Sequence, residues 1–266
     1  MDRYKEKTAL ITGASSGIGE VFARELAKRG MHVILVARSE DVLNKLAAEL
    51  TQQYGVRSDV IVADLSRPAD IVHLKEMVQQ KHLPVHLLIN NAGFTTYDAF
   101  EKIDPERDHQ QVMLNVTAVV DLSHAFLPEM VARGEGGIIN VSSMGAFMAL
   151  PYMTVYAASK AFVLSFSQGL WAEYRERGIQ VVAVCPGQVE TPFHTKAENA
   201  VPEAGVKVSA QEVVTQTLDA LEKGKSSLVP GWMNYLSIQL TRLMSRSFLA
   251  RANASQLNPQ RQKKAV

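Results

Sequence analysis

Apolar, β-branched runs alternate with helical patterns along nearly the whole 266-residue chain, and that alternation constrains the fold most. The runs occupy 8–11, 32–36, 59–63, 85–89, 137–141, 179–184 and 227–229. Helical spacing fills the intervals at 17–29, 39–54, 69–80, 105–133 and 155–177. Most runs lack polar alternation, so most strands are expected to be covered on both faces. Repeated β–α units with right-handed crossovers predict an α/β fold, a doubly wound Rossmann-type parallel sheet of about seven strands with helices on both faces. No internal repeat or Gly/Ser linker divides the chain. A single domain over 1–252 is expected, ending in a helical extension at about 231–252, with 253–266 a polar, frayed tail.

Composition removes several function classes. Lys and Arg number 28 against 27 Asp and Glu, so the chain lacks the basic field that non-specific nucleic-acid binding needs. The single cysteine, Cys185, permits no intrachain disulfide and no Cys-based zinc site, which suits a reducing cytoplasm. Cys185 ends an apolar strand and reads as a packed core thiol. The seven histidines show no metal spacing, since Pro84 breaks the His82/His86 pair, so no metal is expected. The charged N-terminus has no apolar leader core, and no apolar run is long enough to span a bilayer. A cytoplasmic location is the expectation.

Gly13-Ala14-Ser15-Ser16-Gly17-Ile18-Gly19 lies between the first strand and the first helix. Gly13 permits a tight turn, Gly17 lets backbone approach a ligand, and Gly19 allows close helix–strand packing. Free N–H groups at the helix start then face a pyrophosphate. The spacing is G-x-x-x-G-x-G, and Glu20 stands where a Walker loop would need its Lys, so a dinucleotide is the expected ligand and a purely structural βα turn the alternative. Arg38 closes the second strand where an acid would select NAD through the ribose 2′-hydroxyl. A guanidinium can instead fork onto a 2′-phosphate, which points to NADP (NADPH), with Ser39 adding a hydroxyl.

At this point the sequence resembles the short-chain dehydrogenase/reductases. The resemblance is carried by Thr12–Gly19, Asp64-Leu65, Asn90-Asn91-Ala92-Gly93, Asn115, Ser143, Tyr156-Ala157-Ala158-Ser159-Lys160, and Pro186-Gly187 with Thr191. It implies that Asp64 meets the adenine amino group, with Leu65 supplying the next N–H. It implies that Asn91, Ala92 and Gly93 line the adenine-ribose side, and that Pro186, Gly187, Val189 and Thr191 hold the nicotinamide carboxamide. Asn115, Ser143, Tyr156 and Lys160 resemble the catalytic group, Asn115 holding a water in a proton relay. Only the extension beyond about residue 230 lies outside the resemblance.

The chemistry can be weighed from the residues themselves. Tyr156 and Lys160 share a helix face four residues apart. An ammonium there would draw the phenol pKa down from about 10 toward the working range. Lys160 would also bind the nicotinamide ribose. Ser143, just past the fifth run, can hydrogen-bond a substrate oxygen, and Ser142 is its rival. The expected reaction is NADPH-dependent hydride transfer to a carbonyl (a ketone, an aldehyde or a 3-oxoacyl group) with Tyr156 as general acid. The apolar segment 144–153 (Met144, Phe147, Met148, Leu150, Met153) and the segment 189–206, with Phe193, are the expected pocket walls, the second as a mobile lid. They suit a small apolar carbonyl or alcohol substrate. A catalytically silent dinucleotide-sensing or scaffold protein on the same fold is the other class, since fold does not fix function.

Two expectations concern assembly. Helices 105–133 and 155–177 carry more apolar residues than one buried face needs, which predicts a homodimer or homotetramer. In the extension Trp232, Leu236, Leu240 and Leu243 recur at helical spacing. Packing on the body or a sister subunit is the first reading, an acyl lid the second, and a membrane-surface helix the third.

Overall fold

The computed structural model describes residues 3–191 and 206–262. Seven parallel strands, β1 (Thr8–Thr12), β2 (His32–Ala37), β3 (Ser58–Val62), β4 (Leu87–Asn90), β5 (Gly136–Val141), β6 (Ile179–Val184) and β7 (Ser227–Leu228), form one sheet. Its order is β3-β2-β1-β4-β5-β6-β7. The expected doubly wound α/β architecture is therefore the one adopted.

Helices α1 (Gly17–Lys28), α2 (Glu40–Tyr54) and α7 (Ala210–Glu222) cover one face of the sheet, and α3 (Pro68–Gln80), α5 (Ala118–Arg133) and α6 (Thr154–Tyr174) the other. Strand parity decides which side chain goes where. Ala9 and Ile11 of β1 join Phe22 and Leu26 of α1 in one core, while Leu10 faces Leu122 and Phe126 of α5 in the other. Both sets are buried, which is why the strands read as continuous apolar runs.

Helix starts follow local chemistry. Pro105 opens α4 (Pro105–Val112), and Asp104 before it accepts from the Glu106 N–H. Ser209 caps α7 by accepting from the Glu212 N–H. Between α4 and α5 the helix widens into one π-turn, Met113–Thr117, with Asn115 buried in it. The fold also buries a chain of polar side chains: Asn90 donates to Asn140 at 2.8 Å, and Asn140 donates to Ser167 of α6 at 2.8 Å.

The C-terminal extension departs from expectation in three ways. It is two helices, α8 (Trp232–Thr241) and α9 (Arg246–Gln256), broken where Ser245 caps α9 by accepting from the Phe248 N–H. The stripe expected to pack inward faces solvent: Trp232 is 75% exposed and Leu243 85%. Asn234 and Ile238, on the opposite side of α8, are the buried residues. Finally, 253–262 is not a frayed tail. α9 runs to Gln256, Leu257 is buried, and α10 (Pro259–Gln262) follows. The physical reason is two tethers that no periodicity signals: Asn253 donates to the Ala149 carbonyl at 2.9 Å, and Tyr97 donates to the Leu257 carbonyl at 2.8 Å.

Candidate active site

The sheet order reverses between β1 and β4, and ligand crevices form outside strand carboxyl ends at such a point. A cleft of about 700 Å³ opens there. Its floor is backbone, held in place by polar side chains. Thr12 donates its hydroxyl to the Ile89 carbonyl and accepts from the N–H groups of Asn91 and Ala92. Asn91 returns two bonds, from Nδ2 to the carbonyls of Thr12 (2.8 Å) and Gly13. Asn91 thus stitches the ends of β1 and β4 together as well as lining the cleft.

Gly13 has φ +66°, in the left-handed region, and leads the chain to the α1 N-terminus. A methyl on Gly19 would lie 2.3 Å from the Gly13 carbonyl oxygen, so Gly19 permits the helix–turn approach and does not itself line the cleft. Ser15, Ser16, Gly17 and Ile18 do line it. Ser16 makes no side-chain cap, so among the described residues no side chain caps the first N–H groups of α1 at the cleft.

Arg38 stands just past β2, its side chain 76% exposed, with Nη1 4.0 Å from Oδ2 of Asp64. Ser39 precedes α2 without capping it through its side chain. Asp64 also accepts from the N–H and hydroxyl of Ser66, so part of its carboxylate is engaged by its own loop. Both acid and guanidinium line the cleft, as do Leu65, Ala92, Gly93, Pro186, Gly187, Val189 and Thr191.

Farther along lie Ser143, Tyr156 and Lys160. Ser143 leaves β5 in extended conformation, and its Oγ accepts from the Gly145 N–H at 3.1 Å. Tyr156, in the first turn of α6, lines the same cleft, near enough for the Ser143 hydroxyl to act on its titration. Ser142 is turned away, donating to the Lys160 carbonyl at 2.8 Å. Lys160, one turn past Tyr156, donates from Nζ to the Val141 carbonyl at 2.9 Å and lies 5.7 Å from the Tyr156 ring centre.

Burial governs the titration of this group. It pushes Lys160 down to about 8. It raises the Tyr156 phenol above its ordinary value, against the pull of the Ser143 hydroxyl, which lowers it. This corrects the expectation of a phenol lowered by Lys160, because both groups are desolvated and the ammonium is itself disfavoured. Burial also pushes the Cys185 thiol up to about 12, and that side chain packs with Leu164 and Ala183.

Asn115 does not line the cleft. From the π-turn its Oδ1 accepts from the Phe94 N–H, while Nδ2 donates to the Phe94 carbonyl and to Ser159 Oγ. A methyl on Gly93 would lie 2.9 Å from Asn115 Oδ1 and 3.4 Å from Lys160 Nζ, so both polar atoms converge beneath Gly93.

The apolar wall contains Met144, Met148, Leu150 and Met153, whereas Phe147 packs toward Leu164 and Cys185. Of the expected lid, 192–205 with Phe193 lies outside the described residues. Sequence reasoning missed Phe94, Arg107, Gln110 and Leu114 on the far wall, and Asn253, Gln256 and Leu257 at the rim. Arg107 sits 4.6 Å over the Phe94 ring. Among the described residues no cluster of His, Cys, Asp and Glu could hold a metal ion.

Comparison with known proteins places this geometry. The family model described as short chain dehydrogenase matches residues 7–202. The very-long-chain 3-oxoacyl-CoA reductase of Anas platyrhynchos is 41% identical over 187 residues, covering 69% of this chain and 60% of that protein. A short-chain dehydrogenase from Sphingobium yanoikuyae, solved in complex with NADPH, superposes with TM-score 0.81 at 34% identity, covering 89% of this chain and 93% of that one. The bulky-bulky ketone specific alcohol dehydrogenase of Comamonas testosteroni gives TM-score 0.76 at 33% identity, over 89% and 92% of the two chains.

Proposed function

The chain belongs to the short-chain dehydrogenase family of oxidoreductases, and from that premise we propose that it is an NADPH-dependent reductase of apolar carbonyl compounds: ketones, aldehydes or 3-oxoacyl groups. The observation that carries the reading is that Ser143, Tyr156 and Lys160, the last one helical turn past Tyr156, line the same cleft as the glycine turn.

The residues present fit a dinucleotide phosphate. The first N–H groups of α1 make an anion site beside Gly17, where an added methyl would lie 3.1 Å from Thr191 Cγ2. Arg38, exposed at the tip of β2, can meet a 2′-phosphate by leaving Asp64. NADPH is bound by some similar structures, and that supports the same cofactor here. When bound, it supplies a hydride for a carbonyl carbon.

Everything else falls to the protein. Ser143 donates to the carbonyl oxygen and stabilises the charge developing there. Tyr156, kept protonated by burial, gives that oxygen its proton and so completes the alcohol. Lys160 restores the Tyr156 proton, and its position beside Asn115 Oδ1 under Gly93 suits a relay water between them. Met144, Met148, Leu150 and Met153 bind the apolar part of the substrate and exclude solvent.

A homodimer is part of this reading. Val163 and Leu164 of α6 turn into the core, but Phe162 is 41% exposed and stacks on Phe166 along the helix, leaving an apolar strip that a second copy would cover. The deciding assay is NADPH oxidation against a carbonyl panel graded by chain length and polarity. Turnover that rises with apolar size supports the reductase. Tight NADPH binding without turnover on any member would favour a dinucleotide-sensing protein instead.

A further inference from the structure

Among the described residues fifteen large apolar side chains are exposed, and eight of them fall between Trp232 and Phe248. They are not scattered. Asn234 and Ile238 anchor α8 on its inner side, and Trp232, Met233, Leu236 and Leu240 occupy the side turned to solvent. The α8–α9 corner adds Leu243, the most exposed of them at 85%. An ordinary surface helix is polar on its outer face, and this one is apolar there.

Between Trp232 and Gln256 the chain carries three arginines and no Asp or Glu, whereas the net charge of the whole chain is only +1. Arg242, Arg246 and Arg251 are exposed on the corner and on α9, and none is in an ion pair among the described residues. We propose that the α8–α9 face docks on an anionic lipid bilayer, its apolar side chains entering the headgroup boundary and its arginines meeting lipid phosphates.

The chemistry selects lipid over a second copy. A two-fold contact sets the same patch against itself and would bring these unpaired arginines toward one another, whereas an anionic surface neutralises them. Trp232 and Tyr235, both exposed, suit the membrane–water interface. No helix among the described residues is long and apolar enough to cross a membrane, so the attachment is peripheral. α9 also reaches the cleft, where Asn253 and Gln256 form part of the rim. A substrate dissolved in the bilayer would meet the cleft mouth at the docked face.

Co-sedimentation of the full chain with vesicles tests this without reference to turnover. Phosphatidylcholine vesicles are compared with an equal mixture of phosphatidylcholine and phosphatidylglycerol, at low and high salt. Binding is expected to favour the anionic vesicles and to weaken with salt. The double variant Leu236→Asp/Leu243→Asp should lose affinity by about tenfold or more. Arg242→Gln/Arg246→Gln should erase much of the lipid preference, about fivefold per arginine. Unchanged melting temperatures would show that these surface variants remain folded. Absence of wild-type binding to either vesicle overturns the proposal, as does binding indifferent to the leucine substitutions. If light scattering instead shows the leucine variant splitting into monomers while the wild type ignores vesicles, the face joins two copies and the lipid assignment is wrong.

Discussion

The two ends of the cleft are made in different ways. At the cofactor end the turn backbone that meets the ligand is fixed by local bonds: Thr12 and Asn91 tie β1 to β4, and Gly19 lets α1 close on the Gly13 turn. At the substrate end the surface is side chain: a wall of flexible methionines and a returning segment held by two hydrogen bonds. Backbone cradles tolerate little change, because each position is specified by several buried bonds. Side-chain walls can be resized one residue at a time at modest cost. The first end is suited to one cofactor and the second to a variable substrate.

The sharpest way to break this comparison is at the junction of the two ends. Tyr156→Phe should lower kcat roughly 10²–10⁴-fold while leaving the Kd for NADPH nearly unchanged, as read by stopped-flow turnover and cofactor fluorescence. Retention of more than about a tenth of kcat would remove Tyr156 from proton transfer. At the cofactor end, Arg38→Asp should weaken NADPH by about 10–100-fold in kcat/KM and turn the preference toward NADH, because the new carboxylate lies beside Asp64 and repels a 2′-phosphate. Equal kcat/KM for the two cofactors in the unaltered protein would show that Arg38 does not read the phosphate.

The pH profile distinguishes the buried pair. Lys160, lowered by burial to about 8, carries its proton below that pH and loses it above. Reductive kcat/KM for NADPH, which reports the free protein, should therefore be flat below pH 8 and fall by about tenfold per unit above it. A profile flat to pH 10 would mean that Lys160 does not feed the proton path. The smallest effect is expected at the rim. Tyr97→Phe with Asn253→Ala frees the tethers of Leu257 and α9 and should raise KM for an apolar ketone about two- to tenfold, with the Kd for NADPH unchanged, since each lost hydrogen bond is worth about 1 kcal/mol. A comparable loss in NADPH affinity would show the two ends to be coupled.

The same contrast explains what the sequence could disclose. Strands buried on both faces leave long apolar runs, and a turn that must bring backbone to a ligand leaves glycines, so the parallel sheet and the Gly13–Gly19 turn were legible. Ser143, Tyr156 and Lys160 were legible by resemblance, and the structure brings them together. The direction of the Tyr156 shift was not, because spacing shows that a lysine is near but not that both groups are dry. The tail was misread for a related reason: Leu257 is buried by tethers from Tyr97 and Asn253, and a single polar–carbonyl contact at long range leaves no period in a sequence. The outward stripe of α8 shows the limit most plainly. Helical periodicity reports that Trp232, Leu236 and Leu240 share a side and says nothing of which side the body takes.

The buried Asn90–Asn140–Ser167 chain has a consequence for how this sheet assembles without error. β4 and β5 are apolar on both faces, so sliding one past the other by a single residue would exchange one aliphatic contact for another and cost little in burial. Hydrophobic alternation, which penalises slippage in a sheet open to water on one side, offers no check here. The two amides provide it. They meet only in the native alignment, where Asn90 lies opposite Asn140. A slipped β4 would leave the Asn90 amide N–H and the Asn140 amide oxygen without this bond, at a cost of about 1–3 kcal/mol. The centre of the sheet thus carries its own proofreading mark, on β4 and β5, the first and second strands past the one that leads into the glycine turn, and, in β5, one residue before the strand end from which the catalytic loop departs.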